Sequence, residues 1–442
     1  MVFVSSFYKG EVPMKRFKKI MSSVLLASMM LSSVACSSQS ENGSSANATT
    51  AAADANGSGE KATEAAGSDK KAASDLKVGF IFLHDENSTY DLNFIEAATR
   101  ACEEAGVTAV FKTNIPEGQE CYEAACELAD AGCSIVFADS FGHEDYMIEA
   151  AKEYPEVQFC HATGTKAHTE GLSNYHNAFA TIFEGRYLAG IAAGMKLNEM
   201  IESGAITEDQ AKMGYIGAYT YAEVISGYTS FFLGARSVCP STTMEVTFTG
   251  SWYDETAEKE GANKLIENGC VLISQHADSM GAPTACEKAG VPDVSYNGST
   301  ASACPNTFIV SSKIDWAPYY AYIIDSVENG TEIATDWTGT LETGSVVLTE
   351  LGTAAAEGTA DAIAKAEEDL KSGAVHVFDT NTFTVDGAAL TSYMADVDTD
   401  ADYTADTEVI KDGYFDESGE GFRSAPYFDL KIDGITLLDT AF

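Results

Sequence analysis

The chain has 442 residues, with 26 basic against 67 acidic side chains and a formal net charge of −41. That balance excludes nucleic acid as a partner, because phosphate binding needs a basic footprint. It also sets the folded part against an anionic membrane surface and favours a neutral or cationic ligand over a nucleotide.

The N-terminus reads as an address. Residues 1–13 carry no pattern, and Met14 is taken as the true start. A basic run follows (Lys15, Arg16, Lys18, Lys19), then an apolar stretch from Ile20 to Ala35. This is the layout of a secretory signal, assigned to 1–35, and it is too short for a comfortable membrane span. Ser33-Val34-Ala35-Cys36 resembles a bacterial lipobox, with Ser33 where leucine is usual. The resemblance implies cleavage before Cys36 and acylation of its sulfur. From Ser37 to Asp75 no large apolar side chain occurs, so residues 36–75 are expected to form a lipidated, disordered tether spanning roughly 35 Å. The expectation is an exported protein on the outer face of the cytoplasmic membrane, touching that membrane through its lipid alone.

Ten cysteines occur, and with Cys36 acylated nine remain, an odd number. There is no C-x-x-C and no Cys/His spacing suited to zinc. Cys102, Cys126, Cys133, Cys160, Cys270 and Cys286 sit within apolar periodic segments and read as small core residues. No metal and no cofactor is expected.

From Leu76 onward a short apolar strand, a turn and an amphipathic helix repeat. Strands are expected at 77–83, 107–112, 134–138 and 157–161, with helices at 94–105, 117–131 and 143–154. A second series follows, with helix 183–200, strand 213–218, helix 224–238, strand 244–249, helix 256–268, strand 271–275, helix 281–289 and strand 293–296. Such alternation means parallel sheets covered by helices on both faces. The fold class is α/β, two doubly wound Rossmann-like lobes joined by hinge crossovers. Lobe 1 takes 76–180 plus about 308–335, and lobe 2 takes 181–307 plus about 336–375. Residues 376–442 form an acidic, turn-rich extension packed on the lobes. Asp396, Asp398, Asp400 and Asp402 alternate there, but a calcium loop from Asp396 would need glycine and glutamate where Ala401 and Thr407 stand, so the run reads as a solvated loop.

In doubly wound sheets ligands bind beyond the carboxyl ends of the strands. That rule nominates the loops 84–90, 139–141, 161–164, 219–221, 250–254, 275–279 and 297–299. They are rich in rings, amides, hydroxyls and acids, as suits a small planar ligand with hydrogen-bonding edges. The candidate ligand-binding residues are Tyr90, Asn93, Ser140, Phe141, Tyr221, Trp252, Asp254, Gln275, Asp278, Asn297 and Trp316.

Phe183-Glu184-Gly185-Arg186-Tyr187-Leu188-Ala189-Gly190-Ile191-Ala192-Ala193-Gly194 resembles the signature helix of the basic membrane protein (BMP) family, lipoprotein receptors of ABC importers for purine nucleosides and bases. Ser140-Phe141-Gly142, His161-Ala162-Thr163-Gly164, Gly234-Ala235-Arg236-Ser237-Val238, Ser251-Trp252-Tyr253-Asp254, Gln275-His276-Ala277-Asp278-Ser279 and Trp316-Ala317-Pro318-Tyr319-Tyr320 match in order. The resemblance implies a type I periplasmic-binding-protein fold with three crossovers, closure of the lobes on a purine ring, and delivery to an ABC permease. It places Tyr90 where the family stacks an aromatic on the base. Nucleoside-binding members carry aspartate where this chain has Asn297, and their lysine has only the offset counterpart Lys313, so nucleoside and free base both stay open. A monomer is expected.

An enzyme is the main rival. There is no P-loop, H-E-x-x-H, G-x-S-x-G or glycine-rich dinucleotide turn in the folded part. His276 and Asp278 could form an acid–base pair, but bonding to ligand or hinge backbone is the simpler reading. A purine-processing hydrolase would need an activated water, and no ligand set for a metal is visible. A sensor or adhesin with the same fold would look identical in sequence.

Overall fold

The structure, a computed structural model, describes residues 75–397 and 404–439. The signal segment, Cys36 and almost all of the tether lie outside these residues, as do Asp398, Asp400 and Asp402. The first series of elements is β1 (Lys77–Ile81), α1 (Thr89–Ala105), β2 (Thr108–Lys112), α2 (Gln119–Asp130), β3 (Ile135–Ala138), α3 (Glu144–Glu153), β4 (Gln158–Ala162), a single turn α4 (Ala167–Glu170) and β5 (Tyr175–Ala180). The second is α5 (Ile182–Glu202), β6 (Lys212–Gly217), α6 (Ala222–Val238), β7 (Thr243–Phe248), α7 (Glu255–Glu267), β8 (Leu272–Gln275), α8 (Gly281–Ala289), β9 (Asp293–Tyr296) and β10 (Phe308–Ile314). Then come α9 (Ala317–Asn329), β11 (Asp336–Gly339), β12 (Val346–Leu348) and α10 (Thr359–Lys371).

Two sheets result, ordered β11-β5-β4-β3-β1-β2 and β12-β10-β9-β8-β6-β7, the second extended beyond β7 by a C-terminal strand. Apart from the antiparallel edge strand β12, neighbouring strands pair in parallel. β3, β5, β8 and β9 are buried at every position, as strands covered on both faces must be. Within each sheet the strand order reverses once, between β1 and β3 and between β6 and β8. These are the switch points at which such sheets open a crevice.

Helix starts obey local chemistry. α1 begins five residues before the expected Phe94, because Ser88 caps it by accepting the Asp91 N–H. Its first turn is polar and hid the start. β5 was not expected at all, since Tyr175-His176-Asn177 is poor in aliphatic residues. Its buried polar groups are paired instead: the Asn177 Oδ1 accepts from the Ala167 N–H (2.8 Å) and His176 bonds to the Ala334 carbonyl (3.1 Å).

The chain passes between the sheets three times, after β5, after β10 and after β11. The expected exchange points need correcting. β10 pairs with β9 and β12, so Phe308–Ile314 belongs to the second sheet and not the first. β11 pairs with β5 and closes the first sheet, not the second. Between them α9 packs on α1. Asp315 sits at the second crossing, where it accepts two bonds from Arg100 of α1 (2.5 and 2.6 Å) and caps the Ala317 N–H (3.0 Å).

The C-terminal segment forms two small antiparallel pairs, β13 (Met394–Ala395) with β14 (Thr407–Glu408) and β15 (Ile410–Lys411) with β16 (Tyr414–Phe415). It ends in β17 (Ile435–Leu437), which adds in parallel to β7 at the edge of the second sheet. The nine cysteines among the described residues are unpaired, and all but Cys126 are buried.

Candidate ligand-binding cleft

The two switch points face each other across a narrow slot. From the first lobe come Leu83 and His84 after β1, Tyr90 on α1, Ser140 and Phe141 after β3, and Thr163 after β4. From the second come Glu223 in the first turn of α6, Trp252 after β7, His276 and Asp278 after β8, and Tyr296 at the end of β9. The slot holds about 360 Å³ of empty space, including its open mouth. The lobes touch around it. Thr89 donates from both its N–H and its Oγ1 to the Asp278 carbonyl (3.1 Å each). The Phe141 and Tyr221 rings meet at 5.1 Å and those of His84 and Tyr253 at 5.5 Å between centroids.

The first-lobe wall is tied down by carboxyls. Asp91 accepts from the His84 N–H (2.7 Å) and the Ser88 hydroxyl (2.6 Å), which fixes the loop after β1. Tyr90 donates its hydroxyl to the Asp139 carbonyl (2.7 Å), so its ring is held edge and tip. Asp139 itself is buried, and burial together with the nearby Asp91 pushes its carboxyl well above the usual range. Thr163, a β-branched residue, is held at φ 66°, a strained conformation of the kind found at ligand clamps.

The second-lobe wall rests on a buried cation. Arg186, 1 % exposed, donates to the Gln275 carbonyl (2.9 Å) and to the His276 Nδ1 (3.1 Å). Its guanidinium carbon lies 3.3 Å from the centre of the Tyr296 ring. Arginine can only donate, so Nδ1 must accept and the His276 proton must sit on Nε2. That nitrogen reaches Glu223 Oε1 at 3.2 Å. Burial, then Arg186, lowers the His276 pKa, so the ring is neutral. The relay leaves the second Glu223 oxygen without a donor from the described residues. Asp278 likewise receives no hydrogen bond on its carboxyl from them. Burial first, then Asp91, Glu258 and Glu223, pushes it well above the usual carboxylate range.

Of the residues proposed from sequence, Tyr90, Ser140, Phe141, Trp252 and Asp278 line the slot. Tyr221 stands at its mouth, 41 % exposed and stacked on Tyr219 at 5.1 Å. The others serve the fold. Asn93 donates to the Ile314 carbonyl at the second crossing (2.5 Å). Asp254 caps α7, accepting from Thr256 and Ala257. Gln275 braces the following loop through the Ala277 and Ser279 carbonyls (2.7 and 3.2 Å). Trp316 is core, stacked on Phe94 at 4.5 Å. Asn297 is buried at φ 65°, its amide nitrogen without a partner among the described residues, and Lys313 lies within β10. Sequence reasoning did not select Leu83, His84, Thr163, Glu223, His276 or Tyr296. His84, Thr163 and His276 lay inside nominated loops, and Leu83 and Tyr296 one residue before them. Glu223 did neither, and the usable signal was its place in a helix N-terminal turn just past a strand.

Comparison with known proteins agrees with this architecture. Residues 82–381 match the family described as ABC transporter substrate-binding protein PnrA-like (Bmp). A purine-binding protein of Brucella abortus is 33% identical over 261 residues, covering 58% of this chain and 70% of that protein. A putative ABC transporter glucose-binding protein of Haloferax volcanii is 32% identical over 257 residues, 58% of this chain but only 62% of its own length. Solved solute-binding proteins of ABC transporters share the fold. One from Conexibacter woesei has TM-score 0.57 at 20% identity, covering 68% of this chain and 98% of its own. One from Aeropyrum pernix has TM-score 0.59 at 17% identity, covering 69% and 93%. The family and these neighbours are solute-binding proteins of ABC transporters, not enzymes, and the family is extracytoplasmic. No helix of the described residues is long and apolar enough to cross a membrane. The chain belongs to the PnrA-like (Bmp) family of ABC transporter substrate-binding proteins.

Proposed function

We propose that this protein captures a purine, as free base or nucleoside, by closure of its two lobes and hands it to an ABC permease. The observation that carries the reading is a slot walled by rings with two carboxyls that keep open oxygens: Glu223, bonded among the described residues only through Oε1 to His276 Nε2, and Asp278, whose carboxyl receives no hydrogen bond from them. A purine offers a flat face to Tyr90, Phe141 and Trp252 and N–H donors to the two acids. A wrong ligand would leave those open oxygens unpaired, which is where selectivity arises. The purine-binding relative supports this choice, whereas the glucose-binding one points to a sugar. The flat aromatic walls favour the base. Closure makes the Thr89–Asp278 bonds, so the ligand-bound form is the one that presents both lobes together to the permease. In this reading the protein acts as an exported monomer held by a lipid on Cys36.

Calorimetry with adenine, adenosine, pyrimidines, riboflavin and glucose tests the ligand. A purine is expected to bind and glucose is not. Loss of one stacking ring costs on the order of 1–3 kcal/mol, so Tyr90→Ala or Trp252→Ala should weaken binding at least tenfold. Unchanged affinity in both variants refutes the site, and turnover of the purine to a product refutes a receptor.

A further inference from the structure

The family match stops at residue 381, well short of a segment that reaches the mouth of the cleft. Arg423, Ala425 and Pro426 wall a second chamber, opposite Phe141 of the first lobe and Tyr221 of the second. Its empty space is about 550 Å³, open solvent included. Phe141, Thr163 and Glu223 line both this chamber and the slot, so the two adjoin. The segment is anchored at both ends of its reach. Ser424 donates from its N–H and hydroxyl to Asp336 of β11, in the first sheet (2.8 and 3.0 Å). Downstream, β17 is paired to β7 in the second sheet, and Asp439 accepts from Thr247 and from the Phe248 N–H (2.7 and 3.1 Å).

We propose that residues 423–426 are a third wall of the ligand site, and that the chamber they close receives a neutral, hydroxylated substituent on a ring held in the slot. The proposal rests on the purine reading and adds where the substituent goes. Two rings give a hydroxylated substituent apolar faces, and the unbonded Glu223 oxygen accepts a hydroxyl proton. Asn297, the family position for such hydroxyls, is buried and does not line the slot. The chamber is a poor phosphate site. Glu223 repels the anion, and the charges of Asp396, Glu417 and Asp336 act on the Arg423 guanidinium from its own chain. The ligand class is therefore a nucleoside, not a nucleotide.

The test is calorimetry of the intact protein with adenine, adenosine and AMP, for the wild type, Ala425→Trp and Ala222→Trp. The first variant fills the chamber from the C-terminal segment. The second fills it from the first turn of α6, a half-buried position that tolerates bulk should the first misfold. Adenosine affinity is expected to fall at least tenfold in a folded variant, adenine to stay within about twofold, and AMP to bind the wild type at least a hundredfold more weakly than adenosine. Adenosine binding untouched by either substitution overturns the proposal. So does equal weakening of adenine and adenosine, or a wild type that binds adenine but not adenosine. If the wild type binds neither, the purine reading itself falls and the subsite falls with it.

Discussion

Arg186 is the residue on which the second-lobe wall depends, and its removal has two separable readouts. Each of its hydrogen bonds, to the Gln275 carbonyl and to His276 Nδ1, is charge-assisted and contributes about 1.5–3 kcal/mol. The contact with the Tyr296 ring, at 3.3 Å in a fully buried setting, adds about 2 kcal/mol. Against these stands the cost of keeping a guanidinium out of water, several kcal/mol. Breaking such an arrangement from one side typically costs about 3–5 kcal/mol, and Arg186→Met should lower the unfolding free energy by roughly 3 kcal/mol. Arg186→Lys should not restore it, because a single ammonium lacks the planar fork that carries two nitrogens to separate acceptors while its plane lies on a ring.

The second readout is His276. In the wild type burial and Arg186 lower its pKa while Glu223 raises it. Without the arginine the opposing carboxylate remains, so the imidazole should titrate at higher pH in Arg186→Met, and its proton is no longer confined to Nε2. NMR titration of the histidine ring, run beside denaturant unfolding, measures both. A merely bulky core residue would change stability and leave the His276 titration where it was. An unmoved titration with unfolding free energy within about 0.5 kcal/mol of wild type would refute the relay.

Stability should also depend on pH in a signed way. Burial pushes the Glu417 carboxyl up to about 8 and that of Glu258 up to about 7. Among the described residues neither Glu417 oxygen finds a partner in hydrogen-bond geometry, although Ser226 and the Phe428 backbone lie close enough to temper the shift. Above about pH 6.5 the folded state thus holds protons that the unfolded chain has released. Stability should fall by roughly 2–3 kcal/mol on going to about pH 8.5. Below about pH 6.5, His143, His161 and His176, each held at about 4 by burial, act in the opposite sense, because the unfolded chain takes up protons first. Denaturant midpoints across this range check it, and a stability that rises between about pH 6.5 and 8.5 contradicts the assignment. For the anchor, Cys36→Ser should abolish palmitate incorporation and release the protein from the membrane fraction. Membrane retention without the thiol would remove the lipid from the account.

What could be read from sequence was what local rules control. Tyr90, Trp252 and Asp278 were found because a parallel strand must deliver its ligand-facing residues just past its carboxyl end, and that is a short-range fact. Asp254 could have been excluded by an equally local rule. An aspartate immediately before a helical run is an N-cap signature, and a carboxylate committed to Thr256 and Ala257 has little left for a ligand. Trp316 misled for the opposite reason. Its motif matched, yet the ring it stacks on, Phe94, lies on α1, far away in sequence. Arg186 and His276 meet across 90 positions, and nothing in either neighbourhood announces the pairing. The exchange of β10 and β11 between lobes is of the same kind, because an apolar run does not state which sheet edge it will fill. The slot itself is the extreme case. Each switch point was legible in its own lobe, but the ring-walled space into which Glu223 and Asp278 turn open carboxyl oxygens exists only once three crossings bring the two points together. The C-terminal segment beyond the family match lies where legibility is lowest, since β17 fixes one end of it and its other end answers to Asp336. Local reading therefore yields each face of this receptor, and the long-range pairings decide what fits between them.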